Sequence, residues 1–113
     1  MHIRKATAAD APQIGLLIAA FQDYLRDLGD TTEFRFNASA YLRDGFVDLY
    51  VRQASRRQGI GEALMTHLAA AGRSQGAQAL VWSVFKPNHL AAGFYQRLGA
   101  QYLENLHWMM LPI

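Results

Sequence analysis

The chain has 113 residues, which suits one domain built around a single core. Hydrophobic residues make up 51% and charged residues 18%, a globular balance that excludes a disordered or low-complexity chain. The formal charge of +2 comes from eleven basic residues, nine of them arginine, an excess too small to imply a nucleic-acid partner.

Residues 2–6 read as a short opening strand. Thr7 is placed to cap a helix, with Asp10 three residues on and Pro12 in the first turn. Ile14, Leu17, Ile18, Phe21, Leu25 and Leu28 then recur at helical spacing, and Gly29 ends the run. After a polar loop, Asn37 is expected to cap a second short helix that stops at Asp44-Gly45. Residues 46–51 are apolar apart from Asp48, as in a strand covered on both faces. A basic turn follows, and Ile60, Leu64, His67, Leu68 and Ala71 form the stripe of another helix, ending near Gly72 or Gly76. His67, on or near that stripe, reads as a hydrogen-bonded core histidine.

Residues 79–85 form a further apolar strand. Pro87 and Asn88 open a helix through Leu90, Phe94, Tyr95 and Leu98, closed by Gly99. Residues 101–111 look like an aromatic and methionine-rich hairpin with its turn at Glu104-Asn105. Strand and helix alternation in the second half predicts a parallel crossover and an α/β fold. No repeat or linker divides the chain, so residues 1–113 read as one domain.

Chemistry concentrates in the turn Arg56-Arg57-Gln58-Gly59-Ile60-Gly61-Glu62. A helix start offers unpaired N–H groups and the positive end of the helix dipole. Glycines let an anion approach that backbone, and successive N–H groups curl into a nest. The arginines add charge, so a phosphorylated ligand is expected here. The turn is neither a P-loop, because Gly61 is followed by Glu62-Ala63, nor a dinucleotide fingerprint, because Leu64 stands where a glycine belongs. With no cysteine and four dispersed histidines, neither a metal site nor a thiolate nucleophile is expected. No apolar run is long enough for a membrane span, and residues 1–5 lack the apolar core of a signal peptide. The expected location is cytoplasmic.

Arg56-Arg57-Gln58-Gly59-Ile60-Gly61 resembles the Arg/Gln-x-x-Gly-x-Gly/Ala signature of the GNAT superfamily of N-acetyltransferases. Leu49-Tyr50-Val51 resembles the strand before that loop. Asn88-x-x-Ala91-x-x-Phe94-Tyr95-x-x-x-Gly99-Ala100 resembles the helix that follows, with complete spacing. The resemblance implies acetyl-CoA as co-substrate and a small-molecule or peptide amine as acceptor. It implies pantetheine contacts from the backbone of Tyr50 and Val51. Pyrophosphate contacts would come from the turn of Arg56, Arg57, Gln58, Gly59, Ile60, Gly61 and Glu62, and a further cofactor contact from Asn88. Tyr95 would be the general acid that protonates the departing thiolate, a role suited to a phenol. The features around Gly99-Ala100-Gln101 and Trp108 are loosely similar to the polyamine and thialysine acetyltransferases.

Two departures stand out. The chain is shorter than the family pattern and leaves no room for the usual hairpin ahead of residues 46–51. Val47 also stands where the polyamine and thialysine relatives carry a glutamate base. The resemblance therefore implies a truncated GNAT-like mixed sheet flanked by helices. Either residues 2–6 pair with residues 46–51, or the open edge is completed by a second chain in a homodimer. The competing expectations are a degenerate, non-catalytic acyl-CoA-binding module and a truncated dimeric scaffold.

Overall fold

Thr7 and Asp10 start the first helix by exchanging bonds. The Asp10 carboxylate accepts the Thr7 N–H (2.8 Å), while the Asp10 N–H donates to the Thr7 carbonyl (2.9 Å). Arg4 grips the same carboxylate with both terminal nitrogens, at 2.7 and 2.8 Å. That hydrogen bond, reinforced by the Thr7 N–H, holds Asp10 far below the usual carboxylate range. A single 3-10 turn, Ala8–Asp10, leads from this cap into helix α1, Ala11–Asp27. The computed structural model describes residues 1–30 and 49–112. Within them, α1 is followed by a second 3-10 turn at Gln53–Ser55, helix α2 at Ile60–Ser74 and helix α3 at His89–Arg97.

All three helices stop the same way. Past the last turn of α1, Gly29 takes a left-handed conformation (φ 102°). Its N–H bonds the Arg26 carbonyl, and the Asp30 N–H bonds the Leu25 carbonyl. Gly76 closes α2 with bonds from Gly76 and Ala77 to Arg73 and Gly72, and Gly99 closes α3 with bonds from Gly99 and Ala100 to Gln96 and Tyr95. This paired pattern satisfies helix carbonyls that would otherwise lack donors, and it requires a positive φ that glycine adopts without strain.

The apolar stripe of α1 supplies the centre of the packing. Ile18 and Leu25 are buried, with Ile14, Leu17, Phe21 and Leu28 half-buried beside them. Helices α2 and α3 meet where Gly61 faces Phe94: a Cβ at position 61 would lie 3.0 Å from the tip of that ring. His67 is exposed on α2 and is not the core histidine its spacing implied.

Among the described residues the expected mixed α/β sheet is not present. Among the described residues, segments 2–6, 49–51, 79–85 and 101–111 contain no strand. A strand exists only through a ladder of bonds to another segment. Here each backbone hydrogen bond outside the helices joins residues at most five positions apart. A turn does form at Glu104-Asn105, but its arms do not pair. Among the described residues these apolar runs form no backbone ladder, so the regular structure there is helical. The helix expected from Asn37, the missing hairpin and half of the strand at 46–51 lie outside the described residues.

Candidate functional site

The basic turn is built to hold its backbone open. Ser55 N–H bonds the Arg52 carbonyl (2.8 Å) and Arg56 N–H bonds the Gln53 carbonyl (3.3 Å), closing the 3-10 turn. The chain then passes through two left-handed residues, Arg57 (φ 61°) and Gly59 (φ 78°), before α2 begins. For Gly59 that conformation is free of cost. For Arg57 it stores strain of about 1–2 kcal/mol, which the flanking turn and helix must hold in place. The Ala63 N–H is the first to bond back into the helix, to the Gly59 carbonyl at 3.0 Å. The N–H groups of Ile60, Gly61 and Glu62 lie ahead of it with no intrahelical acceptor, as every helix start requires. Arg57, Gln58 and Gly59 are exposed around them. Donors of this kind, with a positive dipole end behind them, fit a pyrophosphate.

Arg56 does not point the same way. Its Nε donates to the Val51 carbonyl (2.9 Å), and its guanidinium lies over two rings, 5.1 Å from the centre of Tyr24 and 5.7 Å from that of Tyr50. The side chain is half-buried and ties the turn to the segment before it. Tyr50 in turn contacts Phe21 of α1, with ring centres 5.5 Å apart.

Asn88 is the buried polar residue of this region, 6% exposed. Its Oδ1 accepts the Ala91 N–H (3.2 Å), capping α3, and also the Tyr24 hydroxyl (3.1 Å) from α1. Seven residues further along α3, Tyr95 is half-buried, with its ring centre 4.9 Å from Trp82 and 5.2 Å from Phe94. Asn88 and Tyr95 open on one cavity of about 380 Å³ between α1, residues 83–85 and α3. Ile18, Phe21, Leu25 and Phe85 give it apolar walls, while Gln22, Asp30 and Ser83 add polar groups. That size is in the range of small-molecule sites.

The structure thus brings Asn88 and Tyr95 to one cavity and gathers Tyr50, Val51 and Arg56 beside it. Arg57 to Glu62 form a separate donor surface at the start of α2. Residue reasoning missed Phe21 and Tyr24, which link the two regions, and Trp82, which flanks Tyr95. Tyr24 carried one signal: it sits three residues after Phe21 on the apolar side of α1, where a phenol hydroxyl needs a partner. Among the described residues no group of three or more His, Asp or Glu is arranged to hold a metal, and no helix is long and apolar enough to cross a membrane.

The chain matches the family model of the acetyltransferase (GNAT) family over residues 35–100, more than half its length. It belongs to the GNAT family. The matched span contains the basic turn, Asn88 and Tyr95, so the donor surface falls inside the GNAT region, while the cavity is shared between that region and α1, which precedes it. Acetyl-CoA is the co-substrate of this family, and acyl transfer is the activity the match indicates. No solved structure matches the chain.

Proposed function

We propose that this GNAT chain is an acetyl-CoA-dependent N-acetyltransferase that passes the acetyl group directly to an amine. The observation that carries the reading is the shared cavity of Asn88 and Tyr95, next to a helix start whose N–H donors are unspent. Those donors suit the pyrophosphate, with Arg57 and Gln58 exposed beside them. Both acceptor contacts of Asn88 Oδ1 are internal, which leaves the amide nitrogen as its group for the co-substrate.

In the reaction, the lone pair of a neutral amine attacks the thioester carbonyl carbon and a C–N bond forms. The tetrahedral intermediate collapses with cleavage of the C–S bond, and the electron pair leaves on sulfur. Tyr95 donates its phenolic proton to that thiolate and is reprotonated from water, while the surplus proton on the new amide nitrogen passes to solvent.

A second reading, an acyl-CoA-binding module without turnover, is favoured by Val47 in place of a glutamate base. Calorimetric titration with acetyl-CoA, paired with thiol release on a panel of amines, separates the two. The enzyme binds and releases thiol; the module binds and does not. Absence of binding would remove both.

The same reading includes a homodimer. Tyr102, Leu103, Leu106, Trp108, Met109, Met110 and Leu111 are all more than half exposed, with Met109 at 94%. Seven uncovered large apolar side chains within ten residues are the kind of surface that fills the core of an interface between subunits. A second copy of the chain is the occupant proposed. A monodisperse monomer in light scattering at high protein concentration would contradict it.

A further inference from the structure

Two side-chain contacts converge on Tyr24 of α1, one from the basic turn and one from the start of α3. The Tyr24 hydroxyl donates to Asn88 Oδ1 across 64 positions of sequence, at 3.1 Å. Its ring lies 5.1 Å under the Arg56 guanidinium, whose Nε is bonded to the Val51 carbonyl at 2.9 Å. One turn earlier on the same helix, Phe21 packs against Tyr50, whose ring centre lies 5.7 Å from that guanidinium. Tyr24 therefore touches the segment that leads into α2 and the cap that starts α3.

The physical consequence follows from what each contact fixes. Asn88 has one acceptor oxygen, and it is shared between the α3 cap and Tyr24. Its rotamer, and with it the entry of α3 that carries Tyr95, is set from two sides. Arg56 is held by a hydrogen bond to the Val51 carbonyl and by contacts with two rings, which restrains the residue directly before the left-handed Arg57. Holding that residue helps to hold the strained φ of Arg57 and so the aim of the N–H groups that follow.

We propose that Tyr24 is a positioning residue that sets the pyrophosphate donors of α2 and the Asn88–Tyr95 wall of the cavity relative to each other. The inference rests on the acetyl-CoA reading for its functional consequence, but not for the clamp itself. Tyr24→Phe removes only the hydrogen bond to Asn88 and keeps the ring under Arg56. Tyr24→Leu removes both. Leu16→Ala, at an exposed position of the same helix, is the control.

The test uses the full chain and two readouts. The first is amide hydrogen exchange followed by NMR. Tyr24→Phe is expected to raise exchange at residues 89–91, and Tyr24→Leu to raise it at residues 56–62 as well, with residues 64–74 and the Leu16→Ala control unchanged. The second is titration with acetyl-CoA. Tyr24→Phe is expected to weaken binding about three- to tenfold, the loss of one hydrogen bond, and Tyr24→Leu to weaken it several-fold more. With turnover, both variants are expected to raise KM for acetyl-CoA in line with their affinities and to lower kcat through Tyr95, the Leu variant more in each.

Exchange that rises equally along the whole chain, or at neither segment, overturns the clamp, because a merely structural tyrosine gives one of those results. Unchanged acetyl-CoA affinity in both variants overturns the positioning role. If the unmodified chain itself does not bind acetyl-CoA, the functional reading fails, and the clamp is still decided by exchange.

Discussion

The two ends of this chain are both apolar, yet only one is organised. In residues 1–30 the helix start is capped by Thr7 and Asp10, the end is closed through Gly29, and the apolar stripe faces inward on Ile18 and Leu25. In residues 101–112 the side chains are larger and more apolar, but Trp108 is 83% exposed and the backbone has no cross-segment bonds. The difference lies in where the hydrogen bonds come from. A helix satisfies its backbone from residues within five positions and needs help only at its ends. An extended segment satisfies nothing by itself, so its apolar character has no structural consequence until a partner arrives.

The contrast can be broken first at Asn88. Asn88→Leu removes the α3 cap and leaves the Tyr24 hydroxyl without its acceptor, so a loss of about 2–4 kcal/mol is expected from urea unfolding. Trp108→Ser, in the exposed segment, should stay within about 0.5 kcal/mol when measured at low protein concentration. If the two losses were similar, the tail would be packed in solution and the contrast would fail.

A smaller effect is expected at the contact between α2 and α3. Gly61→Val puts a Cβ 3.0 Å from the Phe94 ring tip and branches it further. Overpacking of this kind costs about 1–3 kcal/mol, which the thermal midpoint would report. It should also weaken acetyl-CoA binding, because position 61 is among the proposed donors.

How much of this was legible follows the same division. Thr7, Asp10, Gly29, Asn88 and Gly99 mark helix boundaries correctly, because each acts on backbone groups a few residues away. The strands expected at 79–85 and 101–111 do not form, because continuous apolarity states a preference for burial without naming the partner that would accept the hydrogen bonds. At the site, Arg56 and Arg57 look equivalent as neighbouring cations. Only the structure shows that Arg56 turns inward to Tyr24, Tyr50 and the Val51 carbonyl while Arg57 is exposed. The bond from Tyr24 to Asn88 crosses 64 positions, a distance over which local spacing carries no signal.

The smallest effect is expected at the start of α1 and depends on pH. Arg4 and the Thr7 N–H hold the folded Asp10 carboxyl below its unfolded range. A depressed folded value stabilises the fold above the unfolded value of about 3.9, and the gain is lost as pH falls below it. Asp10→Asn should therefore lower stability slightly at neutral pH and flatten the acid side of the profile. Because Asp10 and Arg4 face solvent, added salt should shrink the difference.

The central claim is that Tyr95 serves the chemistry, protonating the departing thiolate, more than the binding of the co-substrate. Tyr95→Phe tests it most directly, with acetyl-CoA affinity and single-turnover thiol release measured on the same preparation. The phenyl ring keeps the contacts to Trp82 and Phe94 but cannot give a proton to sulfur. Loss of a general acid predicts a rate lower by about 10²–10⁴, with acetyl-CoA affinity changed less than about threefold. Equal losses in rate and affinity, or no loss of rate, would contradict it.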